Sequence, residues 1–136
     1  MGVTTVQEHG PVYPLRVLVV DDYPDAAHTL RILLQLWGHE VQVARSGVEA
    51  LERAPFFLPQ VVLLDIEMPW MHGGETARRL RRLPGLGQVW IVATSGTDLQ
   101  DERLAGYERE FDDYLPKPYN LERLERLLAG CTPARG

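Results

Sequence analysis

Two unbroken aliphatic runs, Val17-Leu18-Val19-Val20 and Val61-Val62-Leu63-Leu64, each lead straight into acid, Asp21-Asp22 and Asp65 respectively. Apolar runs without alternation predict strands buried on both faces, as in a parallel sheet. They place strands over residues 15–20 and 60–65. Between them, Pro24 suits a first helical position, Ala27, Leu30, Leu34 and Trp37 share a face at helical spacing, and Gly38 is a natural stop. Residues 39–44 alternate like a more exposed strand. Ser46 and Glu49 form a capping box for a short helix. Pro55 and Pro59 are expected to end that helix, leaving Phe56 and Phe57 in a loop.

Gly73-Gly74 are read as preceding a helix over about residues 75–83, closed by Pro84-Gly85. Residues 88–93 predict a fourth strand that ends at Thr94 and Ser95. Thr97 and Gln100 suggest another capping box, for a helix reaching about residue 110. Residues 113–115 predict a short fifth strand before Pro116-Lys117-Pro118. Asn120 caps a last helix with Leu121, Leu124 and Leu128 on one face. Five strands alternating with five helices are a βα repeat, which implies an α/β fold with a parallel sheet and right-handed crossovers.

Composition narrows the function. The 136 residues suit one domain over residues 15–130, with tails at 1–14 and 131–136. A net charge of −5 argues against a general nucleic-acid surface, and apolar runs are too short for a membrane span. The first fourteen residues lack the basic start and apolar stretch of a signal peptide. The lone cysteine, Cys131, fits a reducing cytoplasm.

Four of the five strands end in polar groups of different kinds: Asp21 and Asp22, Asp65, Thr94 and Ser95, and Lys117, the only lysine. Parallel strands bring their C-terminal ends to one edge, where open α/β sheets hold ligands. Three carboxylates gathered there call for a hard cation, and Mg²⁺ is satisfied by two carboxylates, a backbone carbonyl and waters. A carboxylate nucleophile, Mg²⁺, a lysine and a hydroxyl together suit phosphoryl transfer onto Asp65.

These residues resemble a known family. Asp21-Asp22, Asp65-Ile66-Glu67-Met68-Pro69 with Met71 and Gly73, the hydroxyl after the fourth strand, and Asp113-Tyr114-Leu115-Pro116-Lys117-Pro118 look like the receiver domain of two-component response regulators. The resemblance covers residues 15–128. It implies a doubly wound (βα)5 sandwich, flavodoxin-like, with strand order 2-1-3-4-5. It further implies that Asp65 accepts a phosphoryl group from the histidine of a sensor kinase or a histidine phosphotransfer protein. Asp22 would bind Mg²⁺ directly, Asp21 largely through water, and the Glu67 carbonyl would complete the protein ligands. Lys117 would pair with phosphoryl oxygens, and Tyr114 falls at the family's aromatic switch position. Ser95 is preferred to Thr94 as the hydroxyl: it stands 30 residues after Asp65 and 22 before Lys117, the family's usual separations. Strand alternation also turns Thr94 away. The switched surface would be the fourth helix, fifth strand and fifth helix, acting on a downstream protein, on an output domain outside this sequence, or through a phosphorylation-dependent dimer. Glu67 adds a carboxylate at the site, and His72 stands where the family often has Asp or Asn.

Two other functions use parts of the same residue set. A Mg²⁺-dependent phosphatase with an aspartyl-phosphate intermediate, like the haloacid dehalogenases, uses similar groups, but its nucleophile lies on the first strand. A degenerate receiver that only binds partners is disfavoured by the complete set of acid, hydroxyl and lysine. Blander roles are expected elsewhere: surface positions for His9, His28, His39 and His72, a solvated helix face for Arg78, Arg79, Arg81 and Arg82, and an exposed Trp70.

Overall fold

The computed structural model of the protein describes residues 13–68, 72–96 and 104–131. Five parallel strands form one sheet: β1 (Arg16–Val20), β2 (Glu40–Ala44), β3 (Val61–Asp65), β4 (Trp90–Ser95) and β5 (Asp113–Pro116), in the order β2-β1-β3-β4-β5. Among the described residues four α-helices accompany them: α1 (Pro24–Leu36), α2 (Gly47–Phe57), α3 (Gly73–Arg82) and α4 (Leu121–Gly130). The expected doubly wound fold is thus present.

The apolar runs divide by parity. Leu18, Val20, Val62, Leu64, Ile91 and Ala93 face α2 and α3, meeting Ala50, Ala54, Phe57, Ala77 and Leu80. Val17, Val19, Val61, Leu63 and Val92 face α1 and α4, meeting Ala27, Leu30, Leu34, Leu124 and Leu128. Helices on both faces explain why β3 is buried at all five positions. Each large aliphatic side chain so buried contributes about 1.5–3 kcal/mol.

The helix ends show where local signals held. Pro24 opens α1, and Gly38, at φ 98°, ends it by donating to Gln35 O at 2.9 Å. Ser46 accepts from Glu49 N, and Asn120 accepts from Arg123 N.

Several expectations need correction. Helix α2 runs through Pro55 and closes at Leu58, which adopts φ 52° and donates to Ala54 O. The burial of Phe57 in the last turn outweighs the hydrogen bond that Pro55 cannot make, while Phe56 is 88% exposed. Gly73 and Gly74 lie inside α3 rather than before it. Both permit close packing: a Cβ on Gly73 would stand 2.9 Å from Ile66 Cα, and one on Gly74 2.3 Å from the Tyr107 ring. The capping box of Thr97 and Gln100 lies outside the described residues, as do Pro69, Trp70 and Met71. The described end of the expected fourth helix is not α-helical: Gly106 takes φ 87°, and a 3-10 turn follows over Glu108–Glu110. Cys131, assigned to the tail, is buried against the α1 and α4 core.

Arg81 is not on a solvated face. It donates to Val89 O at 2.7 Å and twice to Glu110 O, at 3.0 and 2.7 Å, and it pairs with Asp112 Oδ2 at 2.9 Å. Asp112 in turn accepts from Ile91 N. The guanidinium fork therefore ties α3 to the segments that lead into β4 and β5.

His39 is likewise buried, and its Nδ1 accepts the Leu15 amide at 3.1 Å. Burial lowers its pKa below the ordinary histidine value. The unfolded chain therefore binds the proton more readily, so this contribution to stability is complete above about pH 6.5 and is lost as pH falls through the lower folded value. Thermal unfolding between pH 7.5 and 5 should show the midpoint dropping in wild type and dropping less in His39→Gln, which keeps an acceptor without titrating. Equal slopes in the two proteins would remove His39 as the cause.

Candidate phosphoacceptor site

Strand register assembles the site. Val20 pairs with Leu64, so Asp21 and Asp22 follow β1 next to the end of β3, where Asp65 is the last residue. Asp65 pairs with Thr94, which carries Ser95 one step beyond it. Ser95 pairs with Pro116, and Lys117 N donates to Ser95 O at 2.8 Å, which fixes the lysine at the same edge. The Lys117-Pro118 peptide is cis.

One carboxylate oxygen each from Asp21, Asp22 and Asp65 lies within 4.8 Å of the others. Asp21 and Asp65 are buried and Asp22 is exposed. Lys117 Nζ bridges the buried pair, 2.8 Å from Asp21 Oδ2 and 3.2 Å from Asp65 Oδ2. The remaining oxygens meet backbone: Asp21 Oδ1 accepts from Tyr23 N and Asp65 Oδ1 accepts from Glu67 N at 2.8 Å.

Burial pushes the Asp65 carboxyl up, helped by the Asp21 charge and opposed by the Glu67 amide and Lys117. Burial also works against the lysine charge, but the Asp21 hydrogen bond and the surrounding negative groups outweigh it and hold the ammonium above the usual lysine range. Burial and the Asp21 charge thus outweigh the Glu67 amide and Lys117 at Asp65, whereas the negative groups outweigh burial at Lys117. The donor set fits a hard divalent cation, with carboxylate oxygens from three positions at one open edge.

Ser95 is fully buried at the end of β4. Tyr114 lies half-buried on β5 opposite Ala93, its ring 6.0 Å from that of Phe111. Burial, then the Glu108 charge, pushes its phenol up. Arg123 of α4 donates to Tyr114 O at 2.6 Å. The structure thus brings Asp21, Asp65 and Lys117 into direct contact with Asp22 nearby, and sets Ser95 and Tyr114 on β4 and β5.

The contacts of Tyr119, Thr94, His72 and Glu67 are not legible in the sequence. Tyr119, two residues after Lys117, is hydrogen-bonded to Thr94; its phenol is pushed up by burial and senses Lys117, Asp21 and Asp65. Thr94, the register partner of Asp65, thereby meets the loop that carries the lysine. His72 caps α3 through Gly74 N and stacks on Tyr107 at 5.1 Å. Glu67 reaches across the mouth, where its Oε1 accepts from Gly96 N at 2.9 Å. Position beside the lysine motif was the only signal for Tyr119; the partners of Tyr119 and of the Glu67 side chain lie on or just after β4.

Comparison with known proteins agrees with this geometry. The family profile of the response regulator receiver domain matches residues 17–129. The response regulator MprA of Mycobacterium sp. (strain KMS) is 39% identical over 127 residues, covering 90% of this chain and 54% of that protein. This chain spans about half the length of the curated relatives it matches. Among solved structures, the chemotaxis protein CheY4 of Vibrio cholerae superposes with a TM-score of 0.78 at 26% identity, over 88% of this chain and all (100%) of that one. The receiver domain of the sensor histidine kinase PA1611 from Pseudomonas aeruginosa, with a magnesium ion coordinated in its active-site cleft, superposes with a TM-score of 0.75 at 25% identity, over 85% of this chain and 95% of that one.

Proposed function

Since the chain belongs to the receiver-domain family of response regulators, a family of signalling modules rather than turnover enzymes, we propose that Asp65 accepts a phosphoryl group from a phosphohistidine of a sensor kinase or phosphotransfer protein. The observation that carries this reading is the meeting of Asp21, Asp22, Asp65 and Lys117 at one sheet edge. In the transfer an Asp65 oxygen attacks phosphorus, an O–P bond forms, and the N–P bond to histidine breaks. Lys117 then donates to a phosphoryl oxygen and Ser95 donates to another.

Receiver domains bind Mg²⁺ at an acidic site. Here Asp22, Asp65 and the Glu67 carbonyl would hold the ion directly, and Asp21 through water. The exposure of Asp22 at the open edge, beside two buried aspartates, supports its place as a direct ligand. Bound there, Mg²⁺ supplies neutralising charge for the transferred oxygens. The magnesium in the receiver domain of PA1611 is a precedent.

The output follows from Ser95 and Tyr114. As Ser95 turns toward the new phosphoryl group, Tyr114 fills the vacated space and the surface built on β5, α4 and the segment before β5 changes. A shift from mostly inactive to mostly active needs roughly 5 kcal/mol of differential stabilisation. One charge-assisted hydrogen bond supplies roughly 1.5–3 kcal/mol of it.

Partner access is at hand. A groove of about 360 Å³, lined by Leu30, Leu33, Pro118 and Leu121 and reaching Lys117, runs beside the site and suits a helix carrying the donor histidine. No helix among the described residues is long and apolar enough to cross a membrane. A cytoplasmic setting, where a kinase presents phosphohistidine, belongs to the same reading.

Intact-mass measurement after incubation with acetyl phosphate should show one labile phosphoryl group per chain, formed only with Mg²⁺. No label, or repeated turnover of a small phosphate ester, would defeat the proposal.

A further inference from the structure

Glu67 makes two contacts that bear on the same site. Its backbone N–H donates to Asp65 Oδ1 at 2.8 Å, while its carboxylate Oε1 accepts from Gly96 N at 2.9 Å. Gly96 directly follows Ser95, so the side chain ties the loop after β3 to the loop after β4. Gly96 has no side chain to shield its amide; a Cβ there would lie 3.6 Å from Oε1.

A backbone N–H at the mouth of an acidic pocket is a donor suited to an anionic oxygen. Lys117 Nζ and the Glu67 amide already point at Asp65. The Gly96 amide is the next donor along this edge, and an internal anion holds it. A carboxylate has only acceptors to offer. It therefore both occupies the amide and repels a second anion brought to the same place.

We propose that Glu67 is a resident anion that competes with the phosphoryl group for the Gly96 amide, and so lowers the occupancy of the phosphorylated state. The inference rests on the reading of Asp65 as phosphoacceptor. On phosphorylation the carboxylate must release Gly96 and swing outward. The unphosphorylated chain is thereby favoured by a bond it loses on activation, and the arrangement of the β4 loop is coupled to the charge on Asp65.

Three proteins separate the parts: wild type, Glu67→Gln, which keeps an acceptor but no charge, and Glu67→Ala, which removes both. Beryllofluoride, standing in for the phosphoryl group, is titrated at saturating Mg²⁺ while the Gly96 amide is followed in ¹H–¹⁵N spectra. Affinity should rise from wild type through Gln to Ala, by about tenfold overall, as one competing hydrogen bond to a charged group is removed. In the unliganded proteins the Gly96 amide proton should move upfield in Ala and much less in Gln. An Ala variant that binds no more tightly than wild type or Gln, or a Gly96 amide that does not move, overturns the inference alone. If none of the three binds beryllofluoride, the phosphoacceptor reading falls and this inference falls with it.

Discussion

Asp65→Asn should abolish labelling by acetyl phosphate and leave the fold intact. The substitution is nearly isosteric, and the amide oxygen still accepts from Glu67 N. What goes is the nucleophile: no acyl phosphate forms on a carboxamide. The charge goes too, and two consequences pull apart. The buried carboxylate was disfavoured by burial and by the Asp21 charge, so without metal the variant should be at least as stable as wild type. Mg²⁺ affinity should fall by roughly ten- to a hundredfold, because a charge-assisted ligand of about 1.5–3 kcal/mol is weakened. Intact mass and Mg²⁺ titration read both. Residual label at wild-type level would place the acceptor elsewhere.

Lys117→Ala should have the second-largest effect, and it acts first on stability. The ammonium lies between two buried carboxylates at 2.8 and 3.2 Å. Removing it strands both. Breaking a fully buried pair costs roughly 3–5 kcal/mol, and since the lysine side chain is 22% exposed the cost here should be nearer 2–4 kcal/mol. Added Mg²⁺ replaces the missing positive charge and meets less repulsion, so the variant should gain more stability from the ion than wild type does. Denaturant unfolding with chelator and with Mg²⁺ gives both differences. Equal gains in the two proteins would show that the lysine and the ion do not share the same carboxylates.

The sheet was legible because its determinants are local. The unalternated runs ending at Val20 and Leu64 announce buried parallel strands, and the polar residues that follow them necessarily share an edge. Pro24, Gly38, Ser46 and Asn120 act within a turn of where they stand, and each appears where its chemistry placed it. The errors fall where tertiary contact overrides a local rule. Pro55 reads as a stop, yet the burial of Phe57 carries α2 past it. Arg81 belongs to a run of arginines that looks solvated, and only the fold supplies the carbonyls of Val89 and Glu110 that it binds. His39 looks like a surface histidine until the Leu15 amide arrives from β1's side of the sheet.

The site divides the same way. The aspartates and the lysine stand in short motifs, each at a strand end, and their meeting at one edge follows from parallel register. The side-chain direction of Glu67 does not follow from any motif, because it depends on which donor the β4 loop presents. The pairing of Thr94 with Tyr119 is equally invisible in sequence, since it joins a strand to a loop that only the fifth strand brings near.

Diffraction from crystals grown with Mg²⁺ and beryllofluoride addresses the pocket itself. Beryllium is expected bonded to an Asp65 carboxylate oxygen, with Lys117 Nζ against one fluorine and a metal ion held by Asp22, Asp65 and the Glu67 carbonyl. Fluoride bound at another residue, or a metal that leaves these carboxylates untouched, would contradict that arrangement.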